Sequence, residues 1–257
     1  MSTINTTVYI EPKSPSIPKR IAAFFIDLVI ALLLFTGLAF IVGEACGYTA
    51  NYELLQEKYV EYGILDFKEE TNEYVFCDTS KEECVNNWVS FYDDEEATMY
   101  YDKSVELTTF ILTVSVFVMC LATEFVVPLV LGDRQTIGMY LFKIGLVSTD
   151  GTKVEHKQLF MRFLFGKFIL TTMIPLYGLV YAFYGVFYGI YALALVVIIW
   201  IIDIALSLFS EKKAGIADSI GSCYACDIET SMIFDTIEEI NAIKGAEAAE
   251  KVKKERY

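Results

Sequence analysis

Three carboxylates stand in stretches that otherwise carry almost no charge: Asp27, Glu124 and Asp203. Two bases, Arg162 and Lys167, open a further apolar stretch. An ionisable group inside a bilayer costs roughly 2.5–3.5 kcal/mol on insertion scales, so each of these side chains needs a partner or water. Two kinds of chemistry follow. In the first, Arg162 and Lys167 are charge partners of the acids, and the network fixes helix packing, because buried ions must be paired. In the second, an acid without a base exchanges a proton or another cation with the aqueous phase. With Arg20 reaching outward to headgroups, three acids face two well-placed bases and one acid is left over. Glu124 is the preferred candidate for it. Pro128, four residues on, cannot donate to the Glu124 carbonyl, so a carboxylate and a freed carbonyl oxygen fall at one level.

The elements that must hold these groups are membrane helices. The chain is 55% hydrophobic with a mean hydropathy of +0.45, too apolar for an ordinary soluble domain. About 20 apolar residues rising 1.5 Å each cross a ~30 Å hydrocarbon core. Four stretches meet that length, at about 19–42, 107–131, 159–181 and 187–209. The last two form one apolar run, turning near 182–188, where Gly178, Gly185 and Gly189 lie among Tyr177, Tyr181, Tyr184 and Tyr188. A three-span path is the rival. It would put Lys212 and Lys213 across the membrane from Arg134, Lys143, Lys153 and Lys157, against the usual asymmetry of basic residues. The expected fold class is therefore an all-α, four-transmembrane-helix bundle, multi-pass in the cell membrane, with both termini and 132–158 cytoplasmic. Counted from those ends, Asp27 lies seven residues beyond Arg20, Glu124 eight from Gly132 and Asp203 seven from Ser210. All three then sit on the order of 10–12 Å inside, in one layer.

An arginine opening the first helix, an aspartate seven residues on, and Lys212-Lys213-Ala214-Gly215-Ile216-Ala217-Asp218-Ser219-Ile220-Gly221 after the last apolar stretch are similar to the RDD family of membrane proteins. That family is named for one arginine and two aspartates, and the resemblance assigns its motif to Arg20, Asp27 and Asp218. Gln135-Thr136-Ile137-Gly138, with 142–151, resembles the family's segment between helices. The likeness covers about 15–230, outside the long loop after the first helix. Two positions depart from the family: it often has histidine where Ala217 stands and threonine where Cys223 stands. The resemblance implies a fold and, as an activity, transport.

The charge of −14 is concentrated in one place. Between Glu44 and Lys103, sixteen acids against four lysines give a net −12. This insertion, 44–104, reads as a small acidic extracytoplasmic loop domain within a membrane domain of 18–230. Tyr52, Leu55, Tyr59 and Tyr62 recur at helical spacing, and Tyr74 to Cys77 reads as a strand. Cys77 and Cys84 are close enough to bridge, as an extracytoplasmic location permits; free thiols are the alternative. Asp93 to Glu96 lack the alternation and glycine of a calcium loop and read as solvated surface. Residues 1–17 read as a mobile tail, 132–158 as a connection with a short hairpin about Thr149-Asp150-Gly151, and 231–257 as a cytoplasmic C-terminal helix. His156 and the Cys223/Cys226 pair have no second ligand set, so neither metal nor other cofactor is expected.

The function classes narrow accordingly. Net negative charge argues against nucleic acid as a partner, and the absence of GxSxG, P-loop and paired intramembrane histidines argues against an enzyme. The bilayer is the first partner. One reading is a small transporter or transporter subunit coupled to H+ or Na+; because four helices are few for a pathway, it favours a homo-oligomer or a membrane-protein partner. The other is a scaffold or assembly factor that binds partners through its acidic loop and C-terminal helix.

Overall fold

The computed structural model describes residues 11–68, 73–173, 189–210 and 212–255. The end of the expected third span, the turn expected at 182–188 and residues 1–10 of the expected tail lie outside them. The chain divides into two compact units, one of residues 1–34 with 116–257 and one of 35–115.

Two long helices run through both. Helix α1 spans Ile17–Ala45, and α4 spans Glu95–Val130; both are long and apolar enough to cross a membrane, with mean hydropathies of 2.7 and 2.3. Their side chains say the same. In α1, Phe24, Phe25, Val29, Leu32, Leu33 and Phe40 are each more than half exposed, a contiguous apolar surface that water would not tolerate and hydrocarbon would. α4 contains a π turn at Ala122–Val126, immediately before Pro128. Proline has no N–H for the carbonyl four residues back, and the helix widens there, the Val127 N–H bonding to the Ala122 carbonyl instead. Glu124 rides on that turn.

The unit of residues 35–115 has its own core. Helix α2 (Tyr48–Glu61) follows Gly47, whose φ of 73° turns the chain out of α1. Strands β1 (Leu65–Lys68) and β2 (Glu73–Phe76) form a hairpin, and α3 (Glu82–Asp93) packs Phe91 against Leu55, Ile64 and Ala97. Tyr59, Tyr62 and Trp88 close around it. Asp94 caps the start of α4, accepting from the Glu96 N–H at 2.9 Å and from Tyr62 at 2.7 Å. That is a structural use of the acidic run. Cys77 and Cys84 are joined in a disulfide, their Cα atoms 5.7 Å apart.

In the other unit, α5 (Ile137–Leu141) leads into β3 (Ile144–Ser148). Helix α6 (His156–Met161) starts on a capping box of Glu155 and Gln158 and continues as a π-helical stretch, Arg162–Thr171. Helix α7 (Gly189–Phe209) is followed by α8 (Ile216–Ile220), β4 (Cys223–Asp227) and α9 (Ile237–Glu255). β3 pairs antiparallel with β4, from Ile144 opposite Asp227 to Ser148 opposite Cys223. Their apolar faces pack with Ala23, Met139, Val154 and Leu159.

Two expectations change. The chain is mostly helical rather than all-α, because two strand pairs are present. The short hairpin about Thr149–Gly151 is present, with an antiparallel bridge from Val147 to Lys153 and the Ser148 N–H donating to the Thr152 carbonyl at 2.8 Å, and the same strand also pairs with β4. The C-terminal helix begins at Ile237 rather than 231, since Phe234 is engaged in a bridge to Thr152. The Cys223/Cys226 spacing also gains a physical meaning. Residues three apart on a strand point to opposite faces, and these two lie in different apolar clusters. Burial pushes both thiols up to about 12. Alkylation without reductant, read by mass spectrometry, is expected to find Cys77 linked to Cys84, and to label Cys223 and Cys226 only after unfolding. Alkylated Cys77 in native protein would remove the bridge.

Candidate functional site

Arg162 is the centre of the charged layer. It is the first residue of the π-helical stretch, only 5% exposed, and it bonds in two directions. Its Nη1 donates to Glu124 Oε2 at 2.6 Å, and its Nε donates to Asp218 Oδ1 at 2.8 Å. Glu124 comes from the π turn of α4 and Asp218 from the third residue of α8. Gly221 permits the approach: a Cβ there would lie 2.8 Å from the Arg162 Cβ. One guanidinium thus joins three elements through charge-assisted bonds, the planar fork serving both acids. Burial raises the Asp218 pKa, but the charges of Arg162 and Lys167 outweigh it and hold that carboxyl below the ordinary range.

Asp27 is bound differently. Thr136 Oγ1 donates to its Oδ2 at 2.6 Å, and the Gly138 N–H donates to its Oδ1 at 2.7 Å. Both donors are neutral. Thr136 is the N-cap of α5, in extended backbone, and also accepts from the Met139 N–H. Gly138 is required by space, since a Cβ there would sit 2.2 Å from the Ala23 carbonyl oxygen. Among the described residues, no base pairs with Asp27 within 4.0 Å.

Asp203 likewise accepts from a neutral donor, the Ile216 N–H that opens α8, at 2.6 Å. Gly215 leaves room for it; a Cβ there would lie 2.6 Å from Asp203 Oδ1. Arg20 does not reach outward only: its Nη1 donates to the Ser207 carbonyl in α7 at 3.1 Å. Lys167 is half-buried and makes no ion pair within 4.0 Å among the described residues. Electrostatically it acts on Asp27, Glu124 and Asp218.

The pairings differ from those the sequence spacing suggested. Glu124, expected to be the spare acid, is the one salt-bridged to Arg162. Asp27, one of the three acids for which Arg162 and Lys167 were the candidate charge partners, is held by a hydroxyl and an amide. Asp218 joins Arg162 and Glu124 as a third member. Thr136 and Gly138 went unassigned, although a threonine before an apolar turn is an ordinary helix N-cap signal. Among the described residues no group of three or more His, Cys, Asp or Glu is arranged to hold a metal ion.

The RDD family model matches residues 14–222, a span that takes in Arg20, Asp27, Glu124, Arg162, Lys167, Asp203 and Asp218. No curated protein and no solved structure matches the chain.

Proposed function

Because the chain belongs to the RDD family, we propose that it is a multi-pass protein of the cell membrane and a small transporter, or a transporter subunit, coupled to H+ or Na+. In this reading α1, α4, α6 with its π-helical continuation, and α7 make four spans. Both termini and the β3–β4 pair are cytoplasmic, and the acidic unit with its disulfide lies outside, where the oxidising compartment suits a disulfide. The activity is passage of an ion, not an enzymatic reaction, and a second copy or a membrane partner completes the pathway.

One observation carries the reading: an intramembrane carboxylate, Asp27, held by neutral donors while Arg162 is bonded to two other acids. A structural network alone would bring the base to Asp27. Neutral donors position a carboxylate without cancelling its charge, which leaves that charge to a proton or a cation.

The test is Asp27→Asn in proteoliposomes. The amide keeps the shape and one of its two acceptor positions, so the protein is expected to insert and melt near the wild-type temperature, while pH- or Na+-driven flux is lost with the charge. Undiminished flux in Asp27→Asn removes it as the coupling acid. Absent flux in wild type under every gradient would favour the scaffold, for which the outer unit offers an exposed apolar stripe of Val85, Val89 and Tyr92 on α3.

A further inference from the structure

The apolar run of α1 ends at a defined level. From Leu28 to Gly43 the helix carries no charge, and Glu44 follows it. At 1.5 Å per residue Glu44 lies about 36 Å along the helix from Arg20, just past a ~30 Å hydrocarbon core. α4 marks the same level independently. Glu106 is its last charge before an uncharged stretch that runs to Thr123. Ile111, little more than a turn further in, lies against α1, its Cδ1 3.6 Å from where a Cβ on Gly43 would stand.

At that level α1, α4 and the start of α2 leave a crevice of about 250 Å³. Its apolar lining includes Ala39, Phe40, Ile111 and Leu112, and its polar lining at the turn from α1 into α2 is Glu44, Tyr48 and Thr49. Glu44 is the one charged group in the lining, and it is exposed. Its Oε1 accepts from the Thr49 hydroxyl at 2.6 Å, and it makes no ion pair within 4.0 Å among the described residues. The Tyr48 ring stacks on Tyr52, their centroids 6.0 Å apart, as a tyrosine pair of an interfacial belt.

Three observations select the occupant. Phe40, which lines the crevice, and Ile41 beside it are 71% and 64% exposed and belong to the apolar surface of α1 that hydrocarbon covers, so what enters from that side is an acyl chain. The mouth holds a carboxylate and no base, within a segment of net charge −12 between Glu44 and Lys103, which repels a headgroup whose only charge is its phosphate. The Glu44 carboxylate and the Tyr48 hydroxyl can both accept hydrogen bonds, and the face of the Tyr48 ring attracts a cation. A primary ammonium, with three N–H donors, satisfies all of these; a trimethylated one has none to donate.

We propose that this crevice is a docking site for an ethanolamine phospholipid, one acyl chain lying along Ala39, Ile111 and Leu112 and the headgroup ammonium donating to Glu44. The volume suits a single chain, since pockets for larger organic ligands begin at about 300 Å³. The inference goes beyond the transport reading. It needs α1 and α4 to cross the bilayer with Glu44 at its boundary, and it requires no flux.

The experiment is native mass spectrometry of the purified full chain, released from micelles doped with equal amounts of phosphatidylethanolamine and phosphatidylglycerol of the same acyl chains. Wild type is expected to retain the ethanolamine lipid roughly three- to five-fold over the glycerol lipid, the size of one partly exposed charge contact. Glu44→Gln should bring that ratio to about one, and Glu44→Lys should invert it, which a merely structural role for Glu44 would not do. Ala39→Phe, which fills the crevice, should lose both lipids. The Glu44 variants alter an exposed side chain and decide the matter alone should Ala39→Phe fail to fold. Equal retention of the two lipids by wild type, or a preference unchanged in Glu44→Gln, overturns the proposal. So does full retention by a folded Ala39→Phe, which would place the lipid elsewhere. A dimer without retained lipid overturns it as well, because a second copy then covers the crevice.

Discussion

Arg162→Met is expected to be the most destabilising single substitution in the membrane unit. It leaves Glu124 and Asp218 facing each other across a buried gap with no base between them, their side chains only 18% and 14% exposed. Breaking a buried pair by removing one member costs about 3–5 kcal/mol, because an uncompensated charge is left behind. Two stranded acids put this case at the upper end, which corresponds to a melting temperature lower by roughly 10 °C or more for a chain of this size. Arg162→Lys is expected to lose less, since the charge remains but a single ammonium cannot reproduce a fork bonding in two directions. The informative control is the triple change Glu124→Gln, Arg162→Met, Asp218→Asn. Replacing a whole buried set by neutral groups is often harmless, so much of the loss should return. If Arg162→Met melts with wild type in the same detergent, the triad holds nothing together.

Acid should act on the same triad. The Asp218 pKa is depressed in the folded protein relative to its ordinary value near 3.9. A depressed carboxylate stabilises the fold above its unfolded pKa, and that contribution drains away as pH falls through the lower, folded value. Its share of acid unfolding therefore begins below about pH 4 and is missing in Asp218→Asn.

What could be read from the sequence and what could not divide along a physical line. The membrane helices were legible because a run such as 19–42 has only one solution in hydrocarbon, and the charged residues within them were legible because each violates that solution. The α2 helix and the β2 strand were legible from local periodicity. The pairing of β3 with β4 was not, because it joins distant segments, and Cys-Tyr-Ala-Cys-Asp carries no β-branched residue to announce a strand. The depth argument placed Asp27, Glu124 and Asp203 in one layer, but depth is one coordinate. Which acid meets Arg162 depends on rotation about the helix axis, and the π turn before Pro128 alters that rotation at Glu124. The neutral donors to Asp27 and Asp203 were out of reach for a similar reason: they are two backbone amides and one N-cap hydroxyl of short helices whose positions only the tertiary fold sets.

Those short helices make the second large effect a matter of space. Gly138→Ala adds one methyl group, and its Cβ would lie 2.2 Å from the Ala23 carbonyl oxygen, 2.9 Å from that carbonyl carbon and 2.9 Å from the Asp27 Cγ. The first two are backbone atoms in the middle of α1, hydrogen-bonded within a helix, and they cannot step aside as the tip of a flexible side chain would. α5 must retreat, and the 2.7 Å bond from the Gly138 N–H to Asp27 goes with it. Overpacking of this sort costs about 1–3 kcal/mol, occasionally more, and here a charge-assisted hydrogen bond worth about 1.5–3 kcal/mol is lost besides. Gly37 is the control on the same helix as Ala23: nothing lies within 4 Å of its added Cβ, so Gly37→Ala should be neutral or stabilising by up to about 1 kcal/mol through helix propensity. Gly138→Ala should therefore melt well below wild type and lose ion dependence with Asp27 unchanged in sequence. Equal melting of the two glycine variants would mean that α5 is not seated on α1, and the case for Asp27 as a positioned acid would go with it.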